Sequence, residues 1–569
     1  MGSTPASSYD FIIVGGGTAG CLIANRLSHA PTRPSVLLVE AGSNPEGEYL
    51  RAPFHRYSPA FLRPELDHGL VSTPQKNLGG RTIAYTRGKG LGGSSILNFG
   101  VYLYGSGEDY NRWADISGDD SWRWEHTQKD FQAIENFHIK GAEEYAHLAK
   151  PDPKAHGKDG IVKVCLPDVL EEGIATSMEA LIKNGEKLNL DPNSGDPVGI
   201  SIFPASYSKD GRTTSATAHL VDAPDNLEIW TGATVHRLAF EGTKVVGIET
   251  ADGRRATCKK EVIICSGTLD TPRLLLLNGI GPAKELESLG IKVMKDLPGV
   301  GKQLRDHIMT FLECEVDSSH NNRYAFEHDE ALMLEADTAW KKDKTGPYAL
   351  HHSGLWGGFL KAPGVEEWPE FRALDPAVQE FLSLDSVPTY ELIGNCLMVP
   401  PDTVLPEGSS YIGAIAFLMN AQSEGSVTLR SADPADKPLI DLAYLEHPYD
   451  RRAMREGIRQ TYTKMFENPD LKKVVKKQIL GPESLSDEHI DAYMTAAVTT
   501  VWHANGTAMM GTRENALACV DSRFRVYGVE GLRVADLSVC PLTPNNHTQA
   551  TAYLVGHKAA EKLIAEYEL

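Results

Sequence analysis

The sequence predicts an α/β fold of at least two domains, one of them a Rossmann-like dinucleotide-binding domain. Three observations predict it. The chain opens on a strand, a glycine turn and a helix in direct succession. βαβ-type patterning with glycine turns holds over residues 9–45, 226–310 and 520–569, whereas between Asp317 and Glu424 the pattern becomes irregular and rich in Pro, Trp and charged residues. A chain of 569 residues also exceeds what one ordinary core encloses.

Asp10 to Val14 reads as a short buried strand, and Gly15-Gly-Gly17-Thr18-Ala19-Gly20 opens a helix whose apolar face runs through Cys21, Ile23, Ala24 and Leu27. Gly15 permits the tight turn, Gly17 admits a pyrophosphate to the backbone, and Gly20 lets the helix pack closely on the strand. The helix N-terminus then faces the diphosphate with free N–H groups and a positive dipole end. A second strand, Ser35 to Val39, ends in Glu40, spaced to accept hydrogen bonds from a ribose. FAD and NAD both carry that ribose and pyrophosphate, so the loop alone leaves the ligand open between them.

Composition narrows the function classes. A net charge of −20 argues against nucleic acid as a partner, and no Lys/Arg cluster offsets it. No apolar run approaches the roughly 20 residues of a membrane span. Met1 to Tyr9 leads into the first strand without the features of a secretory signal, so a cytoplasmic location is expected. The eight cysteines, Cys21, Cys165, Cys258, Cys265, Cys314, Cys396, Cys519 and Cys540, show neither a CxxC pair nor metal-site spacing. Reduced, mostly buried thiols and no metal are expected. The two glycosylation sequons, at Asn505 and Asn546, fall in segments expected to line the active site, where a glycan would block chemistry.

A second glycine segment runs Arg87-Gly88-Lys89-Gly90-Leu91-Gly92-Gly93-Ser94-Ser95-Ile96-Leu97-Asn98, where absent side chains would let a flat ligand lie on the backbone. From Gly88 to Asn111, with Gly92, Gly93, Asn98, Tyr102 and Gly105, it resembles the first signature of the glucose-methanol-choline (GMC) oxidoreductase family. Gly267 to Gly281 resembles the second signature, departing from it at Asn278, where serine is usual. Leu297 to His307, and Leu532 to Val539 with Asp536, are similar to further family segments, as is Leu227 to Val235.

The resemblance implies FAD, bound by a Rossmann-like FAD-binding domain with an inserted α+β substrate domain. The implied layout gives residues 1–160, 211–315 and 500–569 to the FAD domain, and 161–210 and 316–499 to the substrate domain. It further implies that Val235 touches adenine through its backbone, that Asp536 lies near the ribityl-phosphate region, and that Arg87, Ser94, Val101, Trp502 and Thr548 join the cofactor site. Family members with covalent FAD carry a histidine just before the Asn98 position. This chain has Leu97, so noncovalent FAD is expected.

His503, in Trp502-His503-Ala-Asn505, and His547, in Pro544-Asn545-Asn546-His547-Thr548, occupy the two positions that the resemblance implies are catalytic. Alcohol oxidation removes a proton from oxygen and a hydride from carbon, so a base must sit near the hydroxyl, with flavin N5 near the C–H bond. Histidine suits the first task. His503 is assigned as the base and His547 as its hydrogen-bonding partner; the sequence equally allows the reverse. Thr548 to Glu566 reads as a helix whose positive end would face the flavin.

Ala84 to Lys89 and Trp122-Arg-Trp124 resemble the formate oxidase branch of fungal members, but that branch has arginine where this chain has His547. A neutral alcohol or hydrated aldehyde is therefore expected as substrate, with O2 or another acceptor taking the electrons. A nonredox lyase or cyclase retaining FAD is the alternative. Tyr102, Trp356, Phe359 and Phe417 are candidate pocket walls as well as candidate core residues, and Lys341 to Lys344 reads as a solvated loop. Oligomeric state is left open.

Overall fold

The computed structural model describes residues 7–45, 47–139, 142–350, 355–396 and 403–569. Strand β1 (Ser7–Val14), helix α1 (Thr18–Ser28) and strand β2 (Val36–Val39) begin the first of two large sheets. Leu227–Trp230 lies parallel to β2 on its outer side, and Arg255–Ile264 parallel to β1 on the other. Lys244–Thr250 and Val235–Glu241 continue the sheet antiparallel, while Leu532–Val534 adds a short parallel strand against Val262 to Ile264. Three distant stretches of chain thus build one dinucleotide-type sheet.

β2 and the inner half of β1 are buried on both faces because helices cover the sheet. On one side α1 packs against the C-terminal helix Gln549–Tyr567. Gly556 makes that crossing close: a Cβ there would stand 2.9 Å from the Ala19 Cα.

The second sheet is antiparallel and runs Val475–Leu480, Ile308–Asp317, Ser409–Leu418, Tyr390–Cys396, Trp356–Leu360 and Gly199–Ile202, with Thr499–Thr500 also paired to Ile308–Asp317. One face packs on the helix Pro448–Phe466 and forms the second core cluster. The other face carries Met309, Phe311, Phe417, Ile415 and Ile393 in a smaller apolar cluster turned toward the first domain.

Several expectations change here. The region from 317 to 424, irregular in sequence, contains three of these strands, and all ten residues of Ser409–Leu418 are buried. A strand covered on both faces shows no polar–apolar alternation, which is the signal the sequence lacks. Position 315 falls inside Ile308–Asp317, a strand of the second sheet, and not between elements. Lys341 and Lys342 close the helix Glu330–Asp343 and are not part of a loop. Cys21, Cys258, Cys265, Cys314, Cys519 and Cys540 are buried free thiols and Cys165 is half-buried; the Cys396 side chain lies outside the described residues. Among the described residues no helix is long and apolar enough to cross a membrane, and no cluster of His, Cys, Asp or Glu could hold a metal.

Candidate active site

A cavity of about 360 Å³ runs from the glycine turn after β1 to the apolar face of the second sheet. Gly15, Gly17, Thr18, Ala19, Glu40, Arg87, Gly93, Ser94, Asn98, Val101, Val235, Trp502, His503, Asp536, His547 and Thr548 all line it. Gly20 and Gly92 do not. A Cβ at Gly20 would stand 2.0 Å from the Gly15 carbonyl oxygen, so this glycine serves the packing of α1 on β1. Gly92 adopts φ +99° and donates its N–H to Gly16 O at 2.7 Å, joining the two glycine segments behind the cavity.

Glu40 is more heavily engaged than its sequence position suggests. Its buried carboxylate accepts from the amides of Gly16 at 2.9 Å, Gly42 at 2.7 Å and Gly90 at 3.0 Å. It therefore clamps both glycine segments to the end of β2 and retains lone-pair capacity toward the cavity. Asp536 likewise accepts from Gly267 N, Thr271 Oγ1 and Ser538 N, which fixes the opposite wall. Burial raises its carboxyl pKa above the usual range.

The two predicted histidines meet at the far end, with ring centroids 5.1 Å apart. His503 is held through its backbone. Its N–H donates to Asp306 Oδ1 at 2.8 Å, and the Asp306 carboxylate also accepts from the hydroxyls of Tyr85, Tyr444 and Thr500. The preceding residue, Trp502, adopts φ +61°, a strained conformation for a large side chain. Its N–H donates to Thr500 Oγ1 at 2.7 Å and its carbonyl accepts from Arg87 Nη2 at 2.8 Å, so both ends of the turn are tied.

Among the described residues each histidine ring has one hydrogen-bonding partner. His547 Nε2 lies 2.9 Å from Glu391 Oε1, and His503 Nδ1 lies 3.0 Å from His307 Nδ1. His503 Nε2 and His547 Nδ1 are the ring nitrogens left for the cavity. Burial, reinforced by His547, His307 and Arg87, holds the His503 pKa well below the ordinary histidine value, so its imidazole is neutral at neutral pH. Burial and His547 bring His307 down to about 3.

Glu391 and His307 have no role in the sequence reading. His307 falls within a recognised segment, but only the pairing of Ile308 with Thr500 and Met309 with Thr499 brings it beside His503. Glu391 is set by strand register: it lies between Phe417 and Phe359 on neighbouring strands, which turns it to the cavity side of the sheet. Of the four aromatic candidates, Phe417 lines the cavity, whereas Tyr102, Trp356 and Phe359 are buried core residues outside its wall. Asn505 and Asn546 are fully buried behind the cavity; Asn505 Nδ2 donates to Thr543 Oγ1 and Asn546 Nδ2 to the Tyr104 carbonyl. Asn278 locks Val235–Glu241 onto the helix Asp270–Leu277, accepting from Leu238 N and donating to His236 O and Leu274 O.

Two GMC oxidoreductase family models match the chain over residues 9–309 and 421–556. The chain belongs to the GMC oxidoreductase family. It is 32% identical to pyranose dehydrogenase 3 of Leucoagaricus meleagris over 98% of this chain and 93% of that one. It is 31% identical to the alcohol dehydrogenase [acceptor] of Pseudomonas putida over 99% of this chain and 96% of that one. A solved formate oxidase variant from Aspergillus oryzae RIB40, studied for FAD modification, superimposes with TM-score 0.89 at 27% identity over 100% of both chains. The protein is thus an oxidoreductase with the two-domain GMC fold, and its dinucleotide is FAD.

The cavity fits that cofactor. A Cβ built on Gly17 meets no atom closer than 3.9 Å, so the missing side chain leaves space that the protein itself does not fill. The helices α1 and Gln549–Tyr567 both open toward the cavity without a side-chain cap, leaving first-turn amides for a ligand. Gln549 Nε2 is buried beside the same space with no hydrogen-bond partner among the described residues.

Proposed function

We propose that this enzyme oxidises a neutral alcohol or hydrated aldehyde, with His503 as the base, His547 as the oxygen-holding partner, and noncovalent FAD. Bound FAD supplies the hydride acceptor at N5. The Gly15–Gly20 turn and the N-terminus of α1 would hold its pyrophosphate, Glu40 its ribose, the Val235 backbone its adenine, and the segment Gly93–Asn98 its ring. Leu97, at the position expected for covalent attachment, offers no nucleophile.

The observation that carries the reading is the asymmetry of the two histidines. The substrate hydroxyl donates to Nε2 of neutral His503, which takes its proton, while Nδ1–H of His547 holds the developing alkoxide. Glu391, with a side chain only 2% exposed, faces Nε2 of His547 and holds the ring with Nδ1 turned to the cavity. The apolar face of Met309, Phe311, Ile415 and Phe417 keeps water from this pair and strengthens each polar contact within it. Electrons then leave to O2 or another acceptor.

The test is anaerobic mixing of the yellow protein with a panel of alcohols while the flavin band is followed. Bleaching by at least one alcohol is expected. A protein that retains FAD yet is bleached by none of them would sink the proposal.

A further inference from the structure

One buried histidine has no part in the chemistry above. His307 stands immediately before the strand Ile308–Asp317, with its ring enclosed. Its Nδ1 lies 3.0 Å from His503 Nδ1, and the rings meet edge to face at 78°. Its Nε2 is buried with no hydrogen-bond partner among the described residues. A histidine kept for packing usually satisfies a nitrogen on a fixed group. His219 does so, placing Nδ1 3.0 Å from the Ser215 carbonyl. The polar contact of His307 is instead a second titratable ring.

Two imidazole nitrogens at this separation share one proton, because two N–H groups would collide and two lone pairs would repel. The owner of that proton decides what His503 can do. If His307 donates, neutral His503 carries its proton on Nε2 and presents a donor to the cavity. If His503 donates, Nε2 is a lone pair, as a base requires.

We infer that His307 is a positioning residue: it accepts a hydrogen bond from His503 Nδ1–H, holds Nε2 as the lone pair, and remains the acceptor while His503 carries the substrate's proton. This rests on the role of His503 proposed above. The proton balance is closed. The substrate O–H bond breaks, an Nε2–H bond forms, and the Nδ1 proton stays on His503. With its pKa near 3, His307 does not take the charge itself. The other groups facing the pair are His547 with Glu391, the Arg87 guanidinium, and Asp306 with the hydroxyls of Tyr85, Tyr444 and Thr500.

The test uses the FAD-loaded full chain and a primary alcohol that bleaches the parent protein. His307→Leu removes the acceptor, and His307→Asn restores one near the Nδ1 position. The limiting bleaching rate of the leucine variant is expected to fall about 100-fold with substrate affinity unchanged. The acid limb of its pH profile should move to lower pH, because an imidazolium without its acceptor forms less readily. Asparagine should recover most of the rate and the parent limb. A leucine variant within about threefold of the parent, or equal slowing of both variants with an unmoved limb, would overturn the inference. Should the leucine variant fail to hold FAD, asparagine decides alone: parent-like rate and limb support the inference, and a slowed rate with an unmoved limb refutes it. His503→Ala, run in parallel, reports on the base itself, and its undiminished bleaching would count against the proposed function and not against His307 alone.

Discussion

Replacing Glu391 by Gln tests the division of labour between the two histidines. Glutamine keeps the side-chain length and a carbonyl oxygen that can accept from His547 Nε2, 2.9 Å away, and removes only the charge. A hydrogen bond to a charged group contributes about 1.5–3 kcal/mol and an ordinary one about 1. The charge alone therefore accounts for about 0.5–2 kcal/mol. The bare attraction of two charges 4 Å apart at an effective dielectric of 20, about 4 kcal/mol, sets the ceiling before desolvation is subtracted. The pair is largely dry, with His547 13% and Glu391 2% exposed by side chain, so solvent screens little of it. The Glu391 charge, felt through the His547 ring, matters most once the alkoxide forms, which puts the loss on the rate and not on substrate binding. The limiting rate of anaerobic flavin bleaching should fall about 2- to 30-fold, with the half-saturating alcohol concentration unchanged. An unchanged rate, or a loss confined to substrate affinity, would refute this use of Glu391.

Three further outcomes follow from the same geometry. His503→Ala should leave the protein yellow and slow bleaching by about 10²- to 10⁴-fold, and in the parent the rate should decline with acid only at pH well below the ordinary histidine range, where His503 becomes protonated. Gly17→Ala should fold with parent-like circular dichroism, since its Cβ meets nothing nearer than 3.9 Å, yet purify colourless; a fully yellow variant would count against the pyrophosphate reading. Acid should also weaken the fold itself. His307 and His219, depressed to about 3 and about 4, stay neutral in the folded chain while their unfolded counterparts take up protons below about pH 6.5. Stability thus falls with pH there, by about 2 kcal/mol per histidine between pH 6.5 and 5. His156, raised to about 9 between Glu135 and Asp191, is already protonated in the folded chain, so only its unfolded counterpart titrates in this window and it offsets no more than about 0.4 kcal/mol of that loss. Melting temperatures on either side of the window check the sum, and a constant value would contradict the depressed values.

The parts of the site legible in sequence are those fixed by short-range backbone geometry. Gly15, Gly17, Gly20 and Glu40 lie within one strand–helix–strand unit, where spacing dictates placement. His503 and His547 are recognisable through the segments around them. Glu391 is not, because its partner is 156 residues away and only the pairing of Tyr390–Cys396 with its neighbours turns it toward His547. The second sheet was obscured for a related reason: burial of both faces erases the alternation that betrays a strand. Phe359 and Trp356 show the limit from the other direction, since an aromatic side chain reads the same in a core and in a pocket wall.

The Glu40 clamp bears on how the protein comes into being. Its carboxylate joins Gly16 to Gly42 and to Gly90, and the cavity that begins there closes only with His503, His547 and Ala552. On a ribosome adding about 5–20 residues per second, the last of these walls emerges roughly half a minute to two minutes after the first. For that interval the nascent glycine turn has no completed pocket in which to retain FAD. Cofactor capture belongs to the end of synthesis, and a chain truncated before the C-terminal helix should remain colourless even with its first hundred residues intact.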